Sequence, residues 1–455
     1  MNNKNILMIA GEASGDLHGA SLIRELKKLD GSLKIFGIGG DKMQAEGMEL
    51  IYHIDKMAFL GFVEVIKHLP FIKKVQRDLI LEVKKRNVKQ VILIDYPGFN
   101  LSIAKKLKQL KLKSTLLPEV SGNSELVISK SATADSTEKS SPDTTKKISP
   151  SRPDYVSGQV GRNDSNDKSS TVSGNIHKLN SAAADGLELI YYITPQVWAW
   201  GKSRVNKIRE LFSKVLVVFP FEEKFFKEKN VNAEFVGHPL IQEMNGYNFL
   251  SREQLNKKFD LDPAKEILLI LAGSRKQEVK SIFPESIKAA TKLAVELDMQ
   301  IVVACSSNLD EKVFYELTDL RNFKVIKEHT YDVMQNAKFG IVKSGTSTLE
   351  AGLLQLPMVI VYKTSWLTYL IGKLLVKINN IGMANIILEE HAVPELIQNG
   401  ANADNIYNTA LNILSDKNLM SQMKNKLSKI KDILGNKNAP QNAAKIIYSL
   451  MMIKE

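Results

Sequence analysis

Six short stretches of the chain carry side chains whose types and spacing suit chemistry. Asp95-Tyr96-Pro97-Gly98-Phe99-Asn100 follows the apolar run Val91–Ile94, so Asp95 sits at the carboxyl end of a strand, where a general base would work. The plainer role for that aspartate is to cap a turn. Gly11-Glu12-Ala13-Ser14-Gly15-Asp16, with Gly19 beyond, lies at another strand-to-helix turn, with Ser14 as the expected N-cap. Glycines there let backbone N–H groups approach an anion, although the spacing is not that of the dinucleotide fingerprint. Gly273-Ser274-Arg275 offers a guanidinium suited to a bidentate grip on a diphosphate. Ser344-Gly345-Thr346 opens a helix and surrounds its N-terminus with small residues, while Glu350 farther along could accept hydrogen bonds from ribose hydroxyls. Trp198 and Trp200, in Val197-Trp198-Ala199-Trp200, would wall a cleft against an apolar or sugar face, or simply pack in a core. His238, in Gly237-His238-Pro239 at the end of the strand-like run Phe235–Val236, would present an imidazole to the same cleft or play a structural part.

The elements that must position these residues form a regular rhythm. Ile6–Ala10, Leu33–Gly37, Val91–Asp95, Leu189–Ile193 and Val215–Phe219 are short apolar, β-rich runs, separated in places by helical stretches such as Leu22–Leu29 and Phe71–Lys85. The alternation restarts at Ile267–Leu271 and continues through Ile301–Ala304, Lys324–Ile326, Phe339–Val342 and Met358–Tyr362. Strands this apolar are buried on both faces, which predicts parallel sheets. The expected fold class is therefore α/β, with two doubly wound, Rossmann-like domains facing a cleft. The predicted seam is the polar stretch Asn245–Lys265, giving domains 1–244 and 245–455, with the last helix expected to pack back on the first domain. One segment breaks the rhythm. Residues Thr115–Leu187 are rich in Ser, Thr, Asp and Lys with one aromatic, Tyr155, and are predicted to be disordered. A surface excursion of that length is tolerable because loop-closure entropy grows only logarithmically.

Composition narrows the classes further. The chain has 455 residues, 44% hydrophobic and 25% charged, which excludes collagen-like and fully disordered proteins. Its lone cysteine, Cys305, forms no internal disulfide, so a reducing, cytoplasmic setting is expected. No run approaches the roughly 18 apolar residues of a membrane-spanning helix. The net charge is +12, and since Thr115–Leu187 carries eight basic against nine acidic residues, about +13 rests on the remainder. Anionic partners fit that surface, although many Lys-rich surfaces bind nothing acidic. Nucleic acid is disfavoured by the lack of zinc spacing, RNP-type aromatics or a basic tail. Two amphipathic stretches, Phe59–Lys74 and Trp366–Lys377, mix large apolar side chains with lysines. They suit either a buried helix with snorkelling lysines or an anionic bilayer surface.

Taken in order, these motifs resemble the lipid-A-disaccharide synthase family, inverting glycosyltransferases of the two-domain GT-B fold. The resemblance rests on Ala10–Asp16, Met43-Gln44-Ala45-Glu46-Gly47, Ile94-Asp95 with Phe99-Asn100, Val197–Trp200, Gly273-Ser274-Arg275, Ser344–Thr346 with Leu349-Glu350, Asn385, and Val393-Pro394-Glu395-Leu396 with Gln398. It covers nearly the whole chain outside Thr115–Leu187. The resemblance implies transfer of a 2,3-diacylglucosamine unit from its UDP derivative to 2,3-diacylglucosamine 1-phosphate (lipid X), releasing UDP. It implies a UDP-sugar site in the second domain, built from Arg275, Ser344, Gly345, Thr346, Glu350, Asn385 and Gln398. The first domain would take the lipid acceptor, with Asp95 as base and Gly11, Glu12, Ser14, Gly15, Asp16, Trp198, Trp200 and His238 around it. No metal or cofactor is expected, and the implied setting is peripheral, on the inner face of the cytoplasmic membrane, with a homodimer left open.

Three departures from the family pattern stand out: Gly98 replaces an acidic residue, Ala272 replaces a proline, and Thr115–Leu187 lengthens a connection that is usually short. Other readings keep the fold but change the sugar, as in another UDP-sugar transferase or an epimerase. A peripheral membrane-binding protein with a degenerate nucleotide site is a non-enzyme alternative. A nicotinamide-dependent oxidoreductase is the weakest rival, lacking its fingerprint.

Overall fold

The computed structural model describes residues 4–57, 68–115, 187–198, 202–364 and 380–452. Trp200, the run Trp366–Lys377, most of Phe59–Lys74 and all but the two ends of Thr115–Leu187 lie outside the described residues.

Two parallel sheets carry the fold. The first holds β1 (Asn5–Ala10), β2 (Lys34–Gly39), β3 (Glu49–His53), β4 (Gln90–Ile94), β5 (Glu188–Tyr192), β6 (Lys214–Val217) and β7 (Ala233–Phe235). Their spatial order is β3-β2-β1-β4-β5-β6-β7. The second holds β8 (Glu266–Leu271), β9 (Met299–Cys305), β10 (Phe323–Lys327), β11 (Ala337–Lys343), β12 (Met358–Tyr362) and β13 (Glu395–Ile397), in the order β10-β9-β8-β11-β12-β13. Every strand pair is parallel. Helices cover both faces, so the central strands show no period-two alternation: Ile6 to Ala10 and Ile267 to Ile270 are all fully buried.

The same doubly wound order appears in both sheets, and in each the chain reverses direction between two central strands, β1 and β4 or β8 and β11. Ligands of such sheets bind in the crevice beyond the strands' carboxyl ends at this switch point. Two strands, β3 and β13, lie beyond those read from the sequence. Both are edge strands of five and three residues whose side chains are mostly half-buried, so neither presents a fully apolar run.

The first helix runs over Ala13–Leu29 and its N-cap is Glu12, with no side-chain capping bond. That corrects the expected cap: Ser14 already lies within the first turn and is exposed. The last helix, Ala439–Met452, packs along Ala13–Leu29. Gln90 Nε2 donates to the Ile447 carbonyl at 3.1 Å, and Asn442 Nδ2 donates to the Val236 carbonyl at 3.1 Å. Gly237, at φ +109°, backs so closely onto this returning chain that a Cβ there would lie 2.3 Å from the Lys437 carbonyl oxygen.

Candidate functional site

At the first switch point the register pairs Ala10 of β1 with Ile94 of β4, so the loops that follow emerge side by side. Asp95 and Tyr96 both adopt left-handed backbone, at φ +44° and +46°. Such conformations cost on the order of 1 kcal/mol each and persist only where the surroundings fix them. Here they are fixed. Asn100 Nδ2 donates to the carbonyls of Ile94 (3.1 Å) and Asp95 (2.6 Å), and the Tyr191 hydroxyl donates to the Asp95 carbonyl at 3.0 Å. The Tyr96 ring fills the space where Gly11 would carry a side chain, its nearest atom 2.2 Å from an ideal Cβ, which explains the glycine. With its main chain held, the Asp95 side chain remains available, and its carboxyl is pushed up to about 6. Burial is the larger cause and the negative charge of Glu12 the second.

The other residues of the first loop divide by role. Glu12 and Ser14 are exposed, whereas Gly15 is buried, with room for a Cβ only 3.2 Å from that of Ala10. Asp16 is buried and accepts from the backbone N–H groups of Gly40 (2.7 Å), Lys42 (3.1 Å) and Met43 (3.0 Å). It therefore stitches the first helix to the short helix Asp41–Ala45.

An aromatic wall flanks this switch point. Trp198, after β5, meets Phe221 edge-on at 5.1 Å; Phe221 stacks on Phe219 at 5.5 Å; Phe219 lies 4.9 Å from the His238 ring. A residue the motif reading passed over, Glu222, anchors the wall. Its Oε1 accepts from the Trp198 indole N–H at 3.0 Å and its Oε2 from the Phe219 backbone N–H at 3.2 Å. Burial pushes this carboxyl up to about 7, while the two donors pull the other way. In the sequence Glu222 reads only as an acidic residue in the first turn of helix Pro220–Lys227, since nothing local announces its burial. His238 caps helix Pro239–Asn245 through Nδ1, and burial drives it down to about 3, with nearby His18 adding to the effect. It is neutral at physiological pH and a poor base.

The second switch point sets two helix starts beside carboxylates of its own. A cavity of about 490 Å³ opens there, lined by Gly273, Ser274, Thr346, Ser347, Tyr331 and Glu350, among others. Two helices, Lys276–Glu296 and Thr346–Leu353, begin at its edge, and neither N-cap residue, Arg275 or Gly345, supplies a side-chain capping bond. Their first N–H groups and dipoles favour an anion. Arg275 is more than half exposed, its Nη1 3.7 Å from Glu278 Oε1. Deeper in, Glu350 is pushed up to about 7, by burial first and by the charge of Glu243 second. The Tyr331 hydroxyl lies 3.2 Å from Glu243 Oε1 and 3.4 Å from Glu350 Oε1.

Three residues expected at the donor site hold neighbouring loops through their side chains. Asn385, fully buried, donates to the Val393 carbonyl (2.7 Å) and to Glu395 Oε1 (2.8 Å), and accepts from the Val393 N–H. Gln398 clamps the backbone of Thr364 with both ends of its amide. The Ser344 hydroxyl donates to the Ile381 carbonyl at 2.8 Å. All three shape the loops beyond β11 and β12. The loops of the two sheets meet where Gln196 Nε2 approaches Met383 Sδ at 3.5 Å. Among the described residues no group of three or more His, Cys, Asp or Glu could hold a metal ion, and no helix is long and apolar enough to cross a membrane.

Two Rossmann-like sheets whose carboxyl ends carry complementary sites define the GT-B class of nucleotide-sugar enzymes. The solved structure of UDP-GlcNAc 2-epimerase from Neisseria meningitidis bound to UDP-GlcNAc covers 99% of this chain and 100% of its own, at TM-score 0.56 and 11% identity. That of the calicheamicin glycosyltransferase CalG4 covers 100% and 99%, at TM-score 0.55 and 12% identity. Identities this low speak for the fold alone. Sequence comparison goes further. The lipid-A-disaccharide synthetase family model matches residues 6–121 and 143–447. The lipid-A-disaccharide synthase of Coxiella burnetii (strain CbuG_Q212) is 31% identical over 457 residues, covering 99% of this chain and all of the relative. That of Geobacter sulfurreducens is 31% identical over 449 residues, covering 98% and 97%. The chain belongs to the lipid-A-disaccharide synthetase family, and its fold is that of a GT-B glycosyltransferase.

Proposed function

We infer that the protein transfers 2,3-diacylglucosamine from UDP-2,3-diacylglucosamine to lipid X with inversion, giving the β-1,6-linked disaccharide 1-phosphate and UDP. The observation that carries this reading is the pairing of sites within a chain of this family: a desolvated carboxylate at one switch point and two uncapped helix starts at the edge of a cavity at the other. In this reading the domain of residues 1–244 takes the acceptor and that of residues 245–455 the donor.

Asp95 takes the proton of the acceptor hydroxyl as that oxygen bonds to the anomeric carbon. The bond from this carbon to the diphosphate oxygen breaks, and UDP leaves with the electron pair. A value near 6 keeps Asp95 ionised at neutral pH yet basic enough to accept the proton. Gly98 supplies no second carboxylate, so one group does this work. Negative charge growing on UDP meets the N-termini at Gly345-Thr346 and Lys276, with Arg275 beside them. Glu350 receives ribose hydroxyls, while Ser344, Asn385 and Gln398 hold the surrounding loops. Trp198 and the wall behind it give the acceptor an apolar face.

The test is UDP release by the purified full chain given UDP-2,3-diacylglucosamine in detergent with EDTA, with and without lipid X. Release that requires lipid X supports the transfer and its independence of metal. Bound UDP without release points to another acceptor, and absence of UDP binding overturns the reading. We further propose that the protein works peripherally at the inner face of the cytoplasmic membrane, supported by two lipid substrates and the +13 carried outside Thr115–Leu187. Co-sedimentation with anionic but not neutral vesicles is the expected result. A homodimer belongs to the same proposal and is read by light scattering.

A further inference from the structure

Between the two helix starts of the second switch point lies a carboxylate that the transfer mechanism does not use. Glu278, in the first turn of helix Lys276–Glu296, folds back over its own N-terminus. Its Oε2 accepts from the Ser274 backbone N–H at 3.3 Å and would lie 2.5 Å from a Cβ on Gly273. Its Oε1 is 2.9 Å from Lys343 Nζ, at the end of β11, and 3.7 Å from Arg275 Nη1. Glu278 and Lys343 each keep under a fifth of their side chains exposed, so the pair is largely shielded from water. Lys343 Nζ in turn reaches within 3.5 Å of the Cβ position of Gly345, the N-cap of the second helix. The carboxylate thus gathers a backbone N–H, an ammonium and a guanidinium, the donor set an oxyanion would claim in this place.

Gly273 makes the arrangement possible. At φ +117° it adopts backbone that other residues rarely reach, and its missing side chain leaves the space into which Glu278 folds.

We propose that Glu278 is the resident counter-anion of the diphosphate subsite, exchanged for the diphosphate when the donor binds and returning as UDP leaves. The proposal rests on the reading above that a nucleoside diphosphate occupies these loops. Its logic is electrostatic. Lys343 and Arg275 never stand uncompensated beside two helix N-termini, so the empty site does not hold stray anions, and the donor trades one anion for another. After transfer, UDP carries more charge than the sugar-bound diphosphate did, and a carboxylate competing for the same cations hastens its departure. Glu278 is therefore a positioning and release residue, not a catalytic one.

The experiment compares wild type with E278Q, using UDP and uridine as probes in titration calorimetry, and UDP as product inhibitor in turnover. Glutamine keeps an oxygen for Ser274 but cannot neutralise Lys343. The expected result is UDP bound about tenfold tighter, a product-inhibition constant lowered by a like factor, and uridine affinity unchanged. Equal or weaker UDP binding in E278Q overturns the proposal, because a residue that merely supports the site can only weaken it when altered. If E278Q fails to fold, E278D withdraws the carboxylate by one methylene and should shift UDP affinity in the same direction by a smaller factor. Wild type that binds uridine as well as UDP would instead sink the diphosphate reading, leaving the two failures distinguishable.

Discussion

The two switch points are built on one topology, each holds a desolvated carboxylate beside a second one, and they differ in what surrounds that pair. β1 and β4 deliver Asp95, desolvated, beside a second carboxylate, Glu12. β8 and β11 deliver glycine turns and two helix starts, with cations drawn around them. Strand order therefore fixes where a site falls and says nothing of its sign. The sign, like the rest of the chemistry, comes from the few residues after each strand. At the first site the Tyr96 ring fills the space beside Gly11, whereas at the second the Glu278 side chain, from its Cβ to its carboxylate, fills the space beside Gly273.

Substitutions can break that contrast one side at a time. The largest effect belongs to D95N, expected to lower turnover about a thousandfold while leaving UDP affinity unchanged, which calorimetry and UDP-release assays check together. Turnover at the wild-type level would remove Asp95 from the mechanism. E222Q tests the wall that flanks the first site. Glu222 titrates above its ordinary value, so its protonated form favours the fold; this contribution is complete below about pH 4.5 and is lost as pH rises through about 7. Wild-type stability should decline across that window, and E222Q should flatten the decline by on the order of 2–3 kcal/mol, read by denaturant melts at several pH values. E350A attacks the second site alone: UDP binding should weaken about tenfold, with the pH dependence of turnover unmoved. The smallest effect sharpens the comparison. Because Asp95 must be ionised, kcat/KM should fall about tenfold per pH unit below about 6. Removing the neighbouring charge in E12Q lowers the Asp95 value, so this acid limb should move down by a few tenths of a unit, measured as a full pH–rate profile.

Much of the fold was legible because parallel strands buried on both faces announce themselves as unbroken apolar runs, and β1, β4, β8 and β11 do so most clearly. The edge strands β3 and β13 were not, since exposure relaxes the demand for apolar side chains. Asp95, Thr346 and Glu350 could be placed from the sequence because strand ends and helix starts are local features. The hydrogen bonds of Asn385, Gln398 and Ser344 go to backbone elsewhere in the chain, and no local pattern announces such bonds. Glu222 was invisible for a related reason: what makes it unusual is the indole of Trp198, 24 residues earlier.

The contact between Gly237 and Lys437 has a mechanical meaning. The chain leaves the first sheet just after Gly237 and comes back to it just after Lys437, and the two strands of chain touch at that point. A pair of crossings set far apart would act like two bolts and lock the sheets together. Crossings that share one contact act like a single pin, about which the sheets can turn while translation stays blocked. The axis of any turning between the sheets then passes through a glycine and a carbonyl oxygen, next in the chain to the His238 that ends the aromatic wall. A methyl group added at Gly237 would act on that pivot directly.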